Sequence, residues 1–262
     1  MTLFAWPKQA AFGRVVPKSK IYEHATASAA LRERFVQQVE QINWAYKLAP
    51  ETVNLPASPG VAEIQVFRLS LKGARLDHEV LKAIDRAIPF PLIFELVQSG
   101  RVKLVAAYKR PAQNPGSTAD ISHWVLSSYF ETGWQLESSP RPPLPVALDM
   151  AGLYEQLLSP LVQSNVANAT EDLRAPPPQI RDGAVADYAA GTTAMHPERL
   201  TLEQCIELAE AIAAQQTLIE RIKARLGREK QFNKRVAINA DLRVAKQELQ
   251  RLVDQQTATQ SY

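Results

Sequence analysis

Between Cys205 and Leu226 the side chains of Cys205, Leu208, Ile212, Ile219, Ile222 and Leu226 recur at steps of three and four, with Gln215 as a polar layer in the series. A stripe of this kind cannot stay in water on a lone helix, so the segment must find a partner helix. A second seam, Ile238, Leu242, Ala245, Leu249 and Leu252, starts out of phase with the first, after Gly227 and near Phe232. The phase change predicts two arms folded back as a hairpin, with one long stuttered helix as the alternative. Thr201 followed by Gln204, with Leu200 ahead, has the form of a capping box and staple that starts the first arm. Residues 199–258 are therefore expected to form a basic helical hairpin or coiled coil. Its interface residues are Leu208, Ile212, Ile219, Ile222, Leu226, Ile238, Leu242 and Leu249.

Proline usage divides the rest of the chain. Many of the 18 prolines gather between residues 140 and 197, including Pro140-Arg-Pro-Pro-Leu-Pro145 and Ala175-Pro-Pro-Pro178. A short helix is expected around Leu148–Leu158, and residues 161–198, poor in large apolar side chains, read as a linker. Residues 1–160 remain as a mixed α/β domain, a sheet with flanking helices. In it, Leu31, Phe35, Val39, Ile42 and Tyr46 recur at helical spacing and predict one helix from about Ser28 to Leu48, stopped by Pro50. Val61–Leu71, Pro91–Val97, Arg101–Tyr108 and Ile121–Phe130 read as strands, and Trp134–Glu137 as a short return strand. Asp77 caps a helix that carries Val80, Leu81, Ile84 and Ile88 and ends at Pro89.

Several function classes lose support from composition. Cys205 is the single cysteine, so neither a disulfide within the chain nor a multi-cysteine zinc site is open to it. At an apolar helical position it is expected to be a packed thiol. The chain shows neither a basic leader nor an apolar run of about 18 residues, which predicts a cytoplasmic protein without a membrane span. The net charge of +3 is small. Its distribution is uneven: Lys/Arg exceed acids near the start, from Val97 to Ala119, and above all from Arg221 to Asp254. Such runs are either solvated faces or surfaces for phosphate.

A complete catalytic site is not apparent. Gly73, Gly100, Gly116 and Gly133 are isolated, and no phosphate-cradling loop or Gly-x-Ser-x-Gly elbow occurs. His24, His78, His123 and His196 are scattered, and no metal or cofactor is expected. One alternative carries chemistry: Glu63, Asp85, Glu95 and Lys109, near the ends of predicted elements, could converge as a divalent-metal nuclease site. Against it, the Glu-x-Lys spacing of such a site is absent, since Gln65 follows Glu63 and Val97 follows Glu95. Trp44, Tyr46 and Lys47 combine aromatic and basic character but are better read as core and surface. The residues read as facing nucleic acid or a partner are Lys109, Arg110, Arg225, Arg228, Lys230, Lys234 and Arg235.

The chain also resembles a bacterial family known as domain of unknown function 4391. The likeness rests on Tyr46-Lys-Leu48 with Pro50-Glu-Thr52, Glu63-Ile-Gln-Val-Phe67, and Ile84-Asp-Arg-Ala-Ile-Pro89 followed by Pro91-Leu-Ile-Phe94. Tyr108-Lys-Arg-Pro111, Phe130-Glu-Thr-Gly-Trp134, Pro142-Pro-Leu-Pro145 and Arg228-Glu-Lys-Gln-Phe-Asn-Lys-Arg235 carry it further. The resemblance brings no reaction or catalytic residue. It implies a genomic setting beside helicases and DNA methyltransferases in defence-type loci. The expectation is a non-enzymatic accessory or scaffolding subunit of a DNA-handling, phage-defence assembly. It would bind a helicase, a methyltransferase or a second copy of itself through its tail.

Overall fold

The computed structural model describes residues 3–111, 124–171 and 200–260, and the chain divides into two units, residues 1–164 and 165–262. The first unit runs β1 (Ala11–Val15), α1 (Lys18–His24), α2 (Ala29–Gln38), β2 (Val39–Leu48), α3 (Pro50–Val53), β3 (Ile64–Leu71), α4 (His78–Ala87), β4 (Leu92–Gln98), β5 (Arg101–Pro111), β6 (Trp124–Glu131) and β7 (Gln135–Leu136). It leads into α5 (Met150–Glu171). One mixed sheet is ordered β1-β2-β3-β4-β5-β6, with β7 paired to β5. β3 and β4 are parallel, joined through α4 as a parallel pair requires. The other neighbouring pairs are antiparallel.

The mixed α/β architecture is the one the sequence predicts, but the helix expected over Ser28–Leu48 is wrong in its second half. α2 ends at Gln38, and Val39–Leu48 is a strand inside the sheet, between β1 and β3. The cause is visible in the register. β2 slips against β3 between Val39 and Gln41 and again between Trp44 and Tyr46. The first bulge puts Val39 and Ile42 on the same, core-facing side of a strand. A three-residue step that reads as helical is thus produced by an inserted residue. Trp44, Tyr46 and Lys47 lie on this strand rather than at a helix end. Pro50 does not stop a helix but opens α3.

α4 follows its sequence closely. Asp77 accepts the Glu79 amide at 2.9 Å, and Val80, Leu81 and Ile84 are buried against the sheet's core cluster. Ser99 and Gly100 both take positive φ, at 48° and 72°, and form the two-residue turn between β4 and β5. α5 is longer than the short helix expected, continuing through Pro160 into the segment read as linker. Leu157, Leu158, Leu161 and Val162 are all buried on either side of that proline. Burial of this stripe outweighs the roughly 3 kcal/mol that an interior proline costs. Residues 172–199, which include the rest of that linker, lie outside the described residues, as do 112–123.

In the second unit α6 (Leu202–Arg228) and α7 (Phe232–Gln260) pack against each other as the hairpin reading requires. Thr201 forms both halves of its capping box: its hydroxyl accepts the Gln204 amide at 3.3 Å, and the Gln204 side chain accepts the Thr201 amide at 2.9 Å. Leu208, Ile212, Ile219, Ile238 and Leu249 are buried, while Ile222, Leu226 and Leu242 are half-buried. Gln215 serves as the polar layer, donating to the Ala245 carbonyl across the hairpin at 3.0 Å. α6 continues through Gly227, and the bend falls at residues 229–231, between Gly227 and Phe232 where the two seams change phase.

Candidate functional site

Of the four residues weighed as a metal site, Asp85 and Lys109 come together, while Glu63 and Glu95 lie apart from them and from each other. Strand alternation separates Asp85 from Glu95. Phe94 and Leu96 point into the core cluster shared with α4, so Glu95 between them faces the other side of the sheet. Asp85 lies on α4 and meets Lys109, which follows Val105 and Ala107 on the α4-facing side of β5. Glu63 precedes β3 and pairs with Lys47 at 3.2 Å, two strands from Lys109, or about 10 Å at the usual strand spacing. Among the described residues no group of three or more His, Cys, Asp or Glu side chains is arranged to hold a metal ion.

Each of these side chains has structural work. Glu95 is fully buried, and its Oε1 accepts the Trp6 indole N–H and the Arg141 guanidinium, both at 2.7 Å. Its Oε2 lies 3.7 Å from Arg68, which also pairs with Glu137. Lys109 was expected to leave its strand and stay exposed. It is instead 2% exposed, because β5 continues to Pro111 and alternation turns Lys109 inward. Its ammonium donates to the Asp85 carbonyl at 2.5 Å and to the Ile88 carbonyl, closing the end of α4, and lies 3.7 Å from the Asp85 carboxylate. Tyr129 donates its hydroxyl to the same carboxylate at 2.5 Å. Tyr154 accepts the Lys109 amide at 3.0 Å and donates to the Ala107 carbonyl at 2.9 Å. Arg110, next along the strand, is half-buried.

Burial dominates the titration of this network. It pushes Asp85 up to about 6 from 3.8, against the opposing pull of Lys109 and the Tyr129 hydroxyl, and it lowers Lys109. Between those two values the folded chain keeps a proton at Asp85 that the unfolded chain has released. The stability held there is fully present below about pH 4 and is lost as pH rises through about 6. The unfolding free energy of the natural chain minus that of Asp85→Asn is expected to shrink between about pH 4.5 and 7. Urea titrations at the two pH values measure it, and a difference that grows with pH contradicts the assignment.

Trp44, Tyr46 and Lys47 are packed. The Trp44 ring lies against Phe12 and Phe67, with centroids at 4.1 and 5.9 Å, and its N–H is donated to the Tyr46 carbonyl. Lys47 is engaged by Glu51 as well as Glu63. Cys205 is half-buried, and burial raises its thiol pKa.

The basic residues of the tail are arranged differently. Over residues 221–235 stand seven cations, Arg221, Lys223, Arg225, Arg228, Lys230, Lys234 and Arg235, against one acid, Glu229. All seven are exposed. Arg221, Arg225 and Arg228 are spaced to share one face of α6, and with Ala224 and Glu229 they line a shallow groove of about 390 Å³. Glu229 accepts the Gln231 amide at 2.9 Å. That bond, then Lys234, the Lys230 amide and Arg225, hold its carboxyl below the ordinary carboxylate range. Lys223 pairs with Glu220 at 2.6 Å. The bend is thus an exposed cationic surface around a single acid that is itself held by a backbone amide. The sequence reading found these cations but not the position of Phe232, an aromatic out of phase with both seams and 78% exposed at the bend.

No helix among the described residues is long and apolar enough to cross a membrane. No curated protein and no solved structure matches the chain. The family described as domain of unknown function (DUF4391) matches it over residues 4–249, nearly its whole length, and the chain belongs to that family.

Proposed function

We propose that the chain is a non-enzymatic accessory or scaffolding subunit of a DNA-handling assembly, and that the bend of the α6–α7 hairpin is its contact with nucleic acid. The observation that carries this reading is the exposed seven-to-one excess of cations over acids across residues 221–235. The pairing of Asp85 with Lys109, and the separate engagement of Glu63 by Lys47 and of Glu95 by Trp6 and Arg141, weigh against the nuclease alternative. A defence role, and a helicase, a methyltransferase or a second copy as companion, belong to the same proposal and rest on the genomic setting that the family likeness implies.

Fluorescence anisotropy of the full chain with a duplex of about 20 base pairs tests the contact. If about four phosphates are neutralised, log K falls with log salt at a slope of about −3.6. Combining Arg225→Glu, Arg228→Glu, Lys234→Glu and Arg235→Glu is expected to weaken binding by roughly tenfold or more at about 0.1 M salt and to flatten the slope. Absent or salt-insensitive binding overturns the reading, and magnesium-dependent cleavage of the duplex installs the alternative.

A further inference from the structure

Charge does not account for Phe232. It is the first residue of α7, and 78% of it is exposed. The hairpin does not use it as core: the first buried position of α7 is Ile238, about 120° away around the helix at 100° per residue. A side chain added at Gly227, in the last turn of α6, would meet nothing within 4 Å, so that part of the bend is open. Val236, one turn further along α7, is 54% exposed and extends the apolar surface. Lys230 and Lys234 flank Phe232 in the chain, Arg235 follows, and Arg225 and Arg228 end the other helix.

An exposed aromatic ring set among cations is matched by a ligand with a flat π-face and anions on either side of it. Duplex DNA offers the anions but keeps its base faces inside the stack. An unpaired strand offers both, and an acidic protein patch would need the cations without the ring. We infer that the bend is a single-strand binding site, in which Phe232 stacks on an unpaired base while Arg225, Arg228, Lys234 and Arg235 hold the neighbouring phosphates. This rests on the proposed nucleic-acid contact and adds to it the form of the ligand.

The test uses the full chain with three probes of about equal charge: an oligothymidylate of about 20 nucleotides, a duplex with the same number of phosphates, and polyglutamate. The single strand is expected to bind tightest. Phe232→Ala is expected to weaken single-strand binding by roughly 5- to 150-fold, leaving duplex binding and the salt slopes unchanged, because no charge is lost. Phe232→Trp should restore single-strand affinity. Phe232 is exposed, so Phe232→Ala should keep the helical circular dichroism of the natural chain. Single-strand affinity unaffected by Phe232→Ala, with salt-dependent duplex binding intact, overturns the inference and leaves the proposed function standing. Equal loss on single strand and duplex overturns the stacking assignment. Polyglutamate bound as tightly as the single strand points to an acidic protein and overturns it too, and no binding to either nucleic acid removes both readings.

Discussion

Replacing Lys109 by methionine is expected to destabilise the first unit by about 3–5 kcal/mol, the range for breaking a buried ion pair from one side. Methionine keeps most of the stem's apolar volume, so the loss isolates the ammonium. Without it the Asp85 and Ile88 carbonyls lose a donor at the end of α4, and the Asp85 carboxylate stays buried with the Tyr129 hydroxyl. The double substitution Lys109→Met with Asp85→Asn is expected to cost less than Lys109→Met alone, since it also removes a buried carboxyl that, without Lys109, must take up a proton or stand charged. All four tryptophans, Trp6, Trp44, Trp124 and Trp134, lie in this unit, so indole fluorescence in urea reports it separately from the hairpin. A change below about 1 kcal/mol at neutral pH would mean that Lys109 does not tie α4 to β5.

How much of this could be read in advance depends on whether a pattern was local. α4 was legible because Asp77, its apolar stripe and Pro89 lie within one short stretch. The hairpin was legible because both seams and the capping box are local repeats, and the bend at residues 229–231 falls inside the basic stretch from Gly227 to Arg235 that separates them. A glycine inside a helix costs only about 1 kcal/mol, and α6 carries Gly227 without breaking. β2 was illegible because its bulges, fixed by pairing with β3, imitate a helical step. The partners of Lys109 and Glu95 could not be read at all. Tyr129 and Tyr154 reach Lys109 and Asp85 across the fold, and Trp6 and Arg141 reach Glu95 from opposite ends of the unit. Lys109 itself was misjudged because its exposure turns on where β5 ends, and strand ends are weakly marked in sequence.

Glu95 is where the architectural and catalytic readings part. As the structure has it, Glu95 fastens the start of the chain to the sheet. Leu3 and Phe4 are buried just ahead of Trp6, the Ala5 amide is donated to the Pro142 carbonyl at 2.8 Å, and Glu95 ties Trp6 and Arg141 to β4. Glu95→Gln keeps the shape and one acceptor but removes the charge facing Arg141 and Arg68, and is expected to cost about 2–4 kcal/mol. Its marks are a lower urea midpoint, a red-shifted Trp6 emission and faster proteolytic clipping of the first residues. A metal ligand behaves in the opposite way. Its carboxylate is held among other carboxylates at a cost to stability, so neutralising it leaves the fold as stable or more so while abolishing divalent-dependent chemistry. A Glu95→Gln chain of undiminished stability that has lost a magnesium-dependent cleavage present in the natural protein would overturn the architectural assignment. A destabilised chain that binds nucleic acid as the natural one does would leave Glu95 a fastening of the first unit and the contact in the hairpin.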